Sequence, residues 1–214
     1  MKRLIKFSKK RPANENQATG ERQTKIIEGN VTLAVEYLLD ALEIDWRNDH
    51  NTRNTPQRVA KMYVREIFAG RYAPMPSITD FPNVSDLDNV YAVGPVTVRS
   101  TCSHHLQPFI GEAWIGILPT DRVIGLSKFS RLTDWIMSRP QIQEEATVQL
   151  VDVIDEAIKP RGVAVVVRAQ HFCMVCRGVK EADTRMVTSV MRGEFRVNDA
   201  LRNEFMGLIK GMGF

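Results

Sequence analysis

A chain of 214 residues with 43% hydrophobic and 25% charged residues has the composition of a globular protein with one sizeable domain or two small ones. No apolar run reaches the roughly 20 residues that a membrane helix requires, and the N-terminus lacks the continuous apolar stretch of a secretory signal. The three cysteines, two of them close to histidines, argue against a disulfide framework and for reduced thiols that bind metal or react. We therefore expect a cytoplasmic protein.

Residues 1–22 are predicted to form a disordered basic tail. Most of the net charge of +4 resides there, because six basic residues fall within the first eleven positions and polar residues follow as far as Gly20. Such a segment could attract phosphate weakly, but a solvated tail is the more common state of a terminus of this kind. The sequence has no helix-turn-helix or RNA-binding signature, so we expect neither a specific nucleic acid nor a membrane as a partner.

Residues 23–89 are predicted to form an N-terminal helical region. Apolar residues recur at helical spacing over 31–42. A second helical pattern runs from 55 to 70, and its opening Thr-Pro pair suits the start of a helix. This second helix carries three basic residues on one face, Arg58, Lys61 and Arg65. Taken alone, such a stripe is typical of a solvated surface.

Residues 90–214 show the pattern of a mixed domain. Alternation and apolar runs predict strands at 91–99, 113–118, 163–167 and 186–195, two helical segments within 127–159, and a last helix after Asn198. Strands that are close in sequence favour antiparallel pairing, so we expect an α+β domain with antiparallel strands and helices on one face.

Metal-binding residues are concentrated in two short segments. The chain has four histidines and three cysteines, and five of these seven residues lie in Cys102–His105 and His171–Cys173. Zinc prefers thiolate and imidazole ligands, and Cys102 and His105 can converge on one ion across a tight turn. Because alternate side chains of an extended segment share a face, Cys173 would be the third ligand, with His171 beside it. Three protein ligands leave the open position of a catalytic zinc site.

A closed structural zinc site is the alternative. Cys173 and Cys176 have the spacing of a zinc-finger pair, which would give a four-ligand site with Cys102 and His105. Strand alternation places Cys176 on the opposite face from Cys173, unless the chain turns after Cys173. Open and closed sites share their ligand types, so only geometry separates them.

The sequence resembles the GTP cyclohydrolase I family from about residue 24 to the C-terminus. The matching motifs, in the family's order and spacing, are Asn54–Tyr63, Cys102–His105, Gly125–Lys128, Arg139–Glu144, His171–Met174, Arg177–Val179 and Val187–Ser189. The resemblance implies a tunnelling fold (T-fold), in which strand pairs from many subunits close a large barrel and an N-terminal helical region packs outside it. It also implies a homodecamer with active sites between subunits.

The resemblance further implies a zinc-dependent reaction. GTP would be hydrolysed at C8 of the purine, formate would be released, and the remainder would rearrange to 7,8-dihydroneopterin triphosphate, the first step towards folate, other pterins or deazapurines. Zinc held by Cys102, His105 and Cys173 would activate water for the attack. His104 and His171 would transfer protons, for which an imidazole pKa near 6.5 suits them.

Other implied site residues bind the nucleotide. Gln143 and Glu144 match the family's guanine-recognition pair, in which a carboxylate can accept from the purine N1–H and the exocyclic amine. A triphosphate needs cations and free N–H groups, such as those of a helix N-terminus. The residues assigned to it are Ser127, Lys128, Arg131, Arg177, Arg58 and Lys61. Without the family match these would pass as an ordinary exposed basic patch.

Two positions depart from the family pattern. Ser103 stands where the family ordinarily has glutamate, and Cys176 stands where methionine or another residue is common. Because this carboxylate is missing, one alternative is a diverged homologue that stops at the ring-opened intermediate or uses another purine nucleotide. A non-catalytic assembly or regulatory protein is a further alternative, but it would be expected to lose His104, His171 or a zinc ligand. A related pterin synthase would need a three-histidine zinc site, which this sequence lacks.

Overall fold

The computed structural model describes residues 10–214, which divide into a first unit ending at Pro74 and a second unit, Met75–Phe214. The basic residues before position 10 lie outside the described residues, so the tail prediction stays a prediction for them. Positions 11–19 were expected to belong to the same disordered tail, but they are held by hydrogen bonds. The Arg71 guanidinium donates to backbone carbonyls of this segment, and Thr19 N donates to Tyr72 O at 2.9 Å.

The first unit is helical, as the sequence predicts. It contains α1 (Glu21–Ala41), α2 (Thr55–Lys61) and α3 (Ala69–Tyr72), with a π-helical segment, Met62–Ile67, between α2 and α3. The helix expected over 55–70 is therefore three consecutive helical pieces. The apolar stripe of α1 buries Val35 and Leu39 against Trp46, which forms the small core of this unit.

The second unit contains the remaining strands and helices. They are β1 (Asp80–Pro82), β2 (Tyr91–Cys102), β3 (Pro108–Leu118), β4 (Arg122–Ile124), α4 (Leu126–Met137), β5 (Pro140–Gln141), α5 (Gln143–Ile158), β6 (Gly162–His171), α6 (Phe172–Val175), β7 (Met186–Gly193), α7 (Glu194–Val197) and α8 (Asp199–Gly211). None of the helices in the described part of the chain combines the length and the apolar character needed to cross a bilayer.

The main sheet has the strand order β5-β2-β3-β6-β7. β2, β3, β6 and β7 pair antiparallel, and only the short β5 runs parallel to β2. A separate ribbon joins β1 to β4, and an ion pair between Asp80 and Arg122 links its strands. Because β1 pairs inside the second unit, residues 75–89 belong with that unit, so the boundary lies earlier than the expected position between 89 and 90.

Both faces of the sheet are buried by helices. Odd-numbered residues of β3 and β6, such as Ile115 and Val165, pack with α4 and α5 in the larger core. Even-numbered residues, such as Trp114 and Val166, pack with Phe205 and the other apolar residues of α7 and α8. The predicted α+β class with antiparallel strands is confirmed, and the two long helices share one face. The C-terminal helices on the second face were not expected from the sequence.

The sheet ends in two open edges. Among residues 10–214, β7 pairs on one side only, with β6, and β2 meets β5 only at Thr101 and Cys102. Within the described residues, the backbone of β2 from Tyr91 to Ser100 therefore lacks a strand partner on its outer side. Unpaired strand edges are templates for pairing with another chain.

Candidate metal centre and active site

The turn between β2 and β3 shapes the first half of the site. Cys102 ends β2, and its N–H donates to Gln107 O at 2.8 Å while its own carbonyl accepts from Leu106 N at 2.9 Å. Leu106 adopts a left-handed conformation with φ of 53°, which lets the chain reverse within a few residues. The turn leaves Cys102 buried and places His105 on the exposed side of the same loop.

A short parallel contact with β5 anchors this turn. Cys102 is in register with Gln141, and the N–H of Ser103 donates to Gln141 O at 3.1 Å. The Gln141 side chain is buried and donates to Ile136 O at 2.7 Å and to Ser100 Oγ at 3.2 Å. Gln141 thus ties the end of β2 to the end of α4, a role that no feature of the sequence signalled.

The second half of the site follows β6. Phe109 at the start of β3 is in register with His171 at the end of β6, which carries the next residues toward the β2–β3 turn. The chain then turns into α6, and Cys176 N donates to Phe172 O at 2.9 Å. The expectation that Cys173 and His171 share a strand face was wrong, because Cys173 lies on a helical turn rather than on a strand.

The structure nevertheless brings the three expected ligands together. The Sγ atoms of Cys102 and Cys173 and a ring nitrogen of His105 all lie within 4.8 Å of one another. Tetrahedral zinc with bonds of roughly 2.0–2.3 Å places its ligand atoms roughly 3.3–3.8 Å apart, so a small contraction would fit the ion. Cys176 is exposed and is not part of this group, so the geometry favours the open three-ligand site over the closed one.

Without a metal ion, two thiolates in this group would be electrostatically unfavourable. Burial raises the pKa of the Cys173 thiol, and the neighbouring Cys102 raises it further, while Arg177 lowers it. A second thiolate beside the first is costly in a partly buried place without a cation. A divalent metal ion would supply that cation, so the donor chemistry fits a metal site.

Two further histidines flank the group. His104 is exposed, and its Nδ1 lies 3.8 Å from Cys102 Sγ. His171 is half-buried and stacks on the buried ring of Phe109, with centroids 4.9 Å apart and planes inclined by 14°. Burial lowers the pKa of His171, and the nearby Glu144 carboxylate partly opposes this shift. His104 therefore lies beside Cys102, and His171 lies at the end of β6, two residues before Cys173, while the proton-transfer roles of both stay a prediction.

Gln143 differs from its expected role. Its side chain is completely buried, with 0% exposure, and its amide nitrogen lies close to three acceptors, Val167 O, Met186 O and Thr188 Oγ1. Its Oε1 lies 2.8 Å from Nε2 of His171. The side chain assigned to guanine recognition is thus fully engaged inside the protein. Glu144, by contrast, is exposed on the first turn of α5 and remains available to a ligand.

The expected phosphate-binding residues fall into separate groups. Ser127, Lys128 and Arg131 lie in the first turns of α4, whose N-cap residue makes no side-chain cap and so leaves the end of the helix open. Arg177 follows α6 and is close enough to Cys173 to lower the pKa of its thiol. These four residues belong to the second unit, which contains the metal-binding group.

Arg58 and Lys61 lie on α2 in the first unit. Lys61 lines a cavity of about 560 Å³ within that unit, together with Lys25 and Arg65. Arg65 does not offer a free charge there, because its guanidinium bonds to the carboxylates of Glu21 and Glu28. The charge of Arg65, the third basic residue of the predicted stripe, is therefore neutralised by carboxylates of the same unit.

Comparison with known proteins identifies the family. The sequence model of the GTP cyclohydrolase I family matches residues 31–210 of this chain. The GTP cyclohydrolase 1 of Thermoanaerobacter pseudethanolicus is 41% identical over 177 residues, which cover 82% of this chain and 93% of that protein. The GTP cyclohydrolase 1 of Enterobacter sp. strain 638 is 35% identical over 196 residues, covering 91% of this chain and 86% of that protein.

Among solved structures, the apo form of the archaeosine synthase QueF-Like aligns with 56% of this chain and 97% of its own, at 17% identity and a TM-score of 0.38. This partial alignment adds nothing to the assignment, which rests on the relatives that match most of the chain. The matched region includes both halves of the metal-binding group. The chain belongs to the GTP cyclohydrolase I family.

Proposed function

We propose that the protein is a GTP cyclohydrolase I that hydrolyses GTP at C8, releases formate and forms 7,8-dihydroneopterin triphosphate. One observation carries the proposal: a chain of this family brings Cys102, His105 and Cys173 together, with His104 Nδ1 3.8 Å from Cys102 Sγ. Bound to the cluster, zinc would act as a Lewis acid that activates water at neutral pH. The product is the first intermediate towards folate, other pterins or deazapurines.

The protein groups around the cluster supply the other needs of the reaction. His104 and His171 transfer protons during ring opening, formate release and ring closure. His171 suits a basic role because burial keeps its ring largely neutral. Glu144 is exposed beside His171 and accepts hydrogen bonds from the guanine N1–H and exocyclic amine.

The triphosphate would bind to cations and free amides. Ser127, Lys128 and Arg131 place both at the N-terminus of α4, and Arg177 adds a guanidinium near the cluster. We assign Arg58 and Lys61 to the triphosphate as well, on the strength of the family motif that includes them. Gln143 is left out of the substrate-binding set, because its amide is already engaged.

We further propose a homo-oligomer, a decamer by family resemblance, with active sites between subunits. Its physical support is the pair of open strand edges, β7 and the outer side of β2, which can pair with neighbouring copies. Exposed apolar residues at the C-terminal end of α1, Leu38 and the cap residue Leu42, also suit burial against another subunit. The free cysteines of a metal-binding thiol site suit the reducing cytoplasm.

Ser103 supports a second candidate function. Its side chain is half-buried beside Cys102 and cannot provide the negative charge of the family's glutamate. A protein that attacks C8 but stops at the ring-opened intermediate is therefore the alternative. Incubation of the zinc-loaded protein with GTP separates the two, because only the full reaction yields both formate and a pterin that fluoresces after oxidation. Unchanged GTP would refute both.

A further inference from the structure

Gln143 has a hydrogen-bonding environment that fixes which way its amide points. Its Nε2 lies 3.1 Å from Val167 O and 3.2 Å from Met186 O. Backbone carbonyls only accept hydrogen bonds, so the end of the amide that faces them must be the donating NH₂ group. The opposite orientation would bring an oxygen against two carbonyl oxygens in a place with 0% exposure, where no water can relieve it.

Two threonines reinforce this orientation. Thr147 Oγ1 donates to Gln143 O at 2.7 Å, and it lies 2.9 Å from Thr188 Oγ1. Since the Thr147 proton is used on that carbonyl, the Thr188 hydroxyl donates to Thr147. Thr188 Oγ1 then accepts from Gln143 Nε2, which lies 3.1 Å away. These hydrogen bonds all run in one donor-to-acceptor direction, from the Gln143 amide to Thr188, from Thr188 to Thr147, and from Thr147 to a backbone carbonyl of α5.

The orientation of Gln143 decides the state of His171. Gln143 Oε1 faces His171 Nε2 at 2.8 Å, and an amide oxygen can only accept. His171 Nε2 must therefore carry a hydrogen. A neutral imidazole has one N–H, so Nδ1 is left with a free lone pair. Stacking on Phe109 holds the ring in its plane, which keeps this assignment of the two nitrogens fixed in space.

We propose that Gln143 is a positioning residue that locks His171 in the Nε2–H tautomer and thereby makes Nδ1 the proton-accepting atom. This inference rests on the proposed function only in naming the reaction that uses the proton. It replaces the guanine-binding role expected for the Gln143 side chain. It also gives the wholly buried amide of Gln143 a function beside His171.

Nitrogen NMR of the histidine rings tests the tautomer without any assay of activity. The metal-loaded protein is labelled with ¹⁵N-histidine and measured in the solid state, and a His171→Phe variant assigns the resonances among only four histidines. Protonated and unprotonated ring nitrogens have well-separated shifts. We expect a protonated Nε2 and an unprotonated Nδ1 for His171. A protonated Nδ1 with a bare Nε2 in the unmodified protein would overturn the proposal.

Two variants test the role of the glutamine. Gln143→Met keeps the length of the side chain but removes the acceptor, so a mixture of tautomers is expected. Thr188→Val removes one acceptor and leaves both carbonyls to orient the amide, so the wild-type tautomer should persist. An unchanged His171 spectrum in Gln143→Met would overturn the proposal. If that variant does not fold, the spectra of the unmodified protein and of Thr188→Val still decide the question.

Kinetics with GTP separate positioning from guanine binding. Loss of a correctly oriented base is expected to lower kcat of Gln143→Met about 10- to 100-fold, with KM within about twofold. A raised KM at an unchanged kcat would return Gln143 to guanine recognition and overturn the proposal. If the proposed function is wrong, the unmodified protein will leave GTP intact. The NMR spectra will still show which ring nitrogen of His171 is protonated, so the two failures can be told apart.

Discussion

Cys102 and Cys173 come from two different connections of the sheet, yet their Sγ atoms lie within 4.8 Å of each other and of a His105 ring nitrogen. Cys102 is the last residue of β2, before a tight turn, and Cys173 is the second residue of the short helix α6. Burial, and after it the neighbouring Cys102, raise the pKa of the Cys173 thiol, so the second thiolate needs a divalent metal ion to balance its charge. Metal content should therefore depend on both thiols.

Cys173→Ala is expected to lose bound zinc, because it leaves only two ligands in place. Cys176→Ala is the matched control, since Cys176 is exposed and lies outside the group, and it should retain the zinc content of the unmodified protein. Metal analysis of the dialysed proteins measures both. Unaltered zinc in Cys173→Ala, or its loss from Cys176→Ala, would show that the ligand set is wrong.

Ser103→Glu tests the departure from the family pattern. If the missing carboxylate limits the late steps, the substitution should raise the yield of fluorescent pterin relative to formate. If the protein already completes the reaction, the two products should form in equal amounts before and after the change. Product ratios from one incubation give the answer, and Ser103→Gln, which has the shape of glutamate without its charge, separates charge from size.

Gly116 allows α8 to approach the sheet. A Cβ at this position would lie 2.5 Å from Cδ2 of the fully buried Phe205. Gly116→Ala is therefore expected to destabilise the protein by about 1–3 kcal/mol through overpacking. Gly207→Ala on α8 is the control, because its Cβ would meet nothing within 4 Å and a helix interior favours alanine by roughly 0.5–1 kcal/mol. Equal stabilities of the two variants in urea would contradict this packing.

Tyr91 predicts a loss of stability at alkaline pH. Burial raises the pKa of its phenol to about 12, above the value of about 10 expected in the unfolded chain. The folded state therefore holds the proton more tightly, and this contribution is present below pH 10 and lost as the pH rises towards 12. Because the ring is partly exposed, it amounts to no more than about 2 kcal/mol.

Unfolding by urea between pH 8 and 12 measures the effect. The difference in stability between the unmodified protein and Tyr91→Phe should be constant up to about pH 9.5 and should then shift in favour of the variant. The comparison cancels the titration of other groups, which both proteins share. A difference that stays constant across the whole range would mean that the phenol titrates normally in the folded protein.

Local sequence patterns predicted the elements of the fold better than their arrangement. Alternation and helical spacing located β2, β3, β6 and both long helices, but β2 extends to Cys102 and β3 begins at Pro108, where pairing rather than pattern sets the ends. The second buried face had a signal in the continuous apolar run 163–167, which is typical of a strand covered on both sides. No feature of the sequence predicted that the second helix changes into a π-helical segment at Met62.

The site shows the same division. The short motifs contained all three residues of the metal-binding group, although the reason given for Cys173 was wrong, since it assumed a strand where α6 begins. The role of Gln143 could not be read from its motif, because its bonds join residues far apart in sequence, on β6 and β7. Only the folded chain shows that the side chain expected to bind guanine is buried, with its Oε1 2.8 Å from His171 Nε2.

GTP labelled with ¹⁴C at C8 tests the central claim most directly. Hydrolysis at this carbon with release of formate predicts that the label leaves the purine and appears as formate, at a rate that falls sharply in Cys173→Ala. Label that stays with the nucleotide after incubation with the zinc-loaded protein would contradict the proposed reaction.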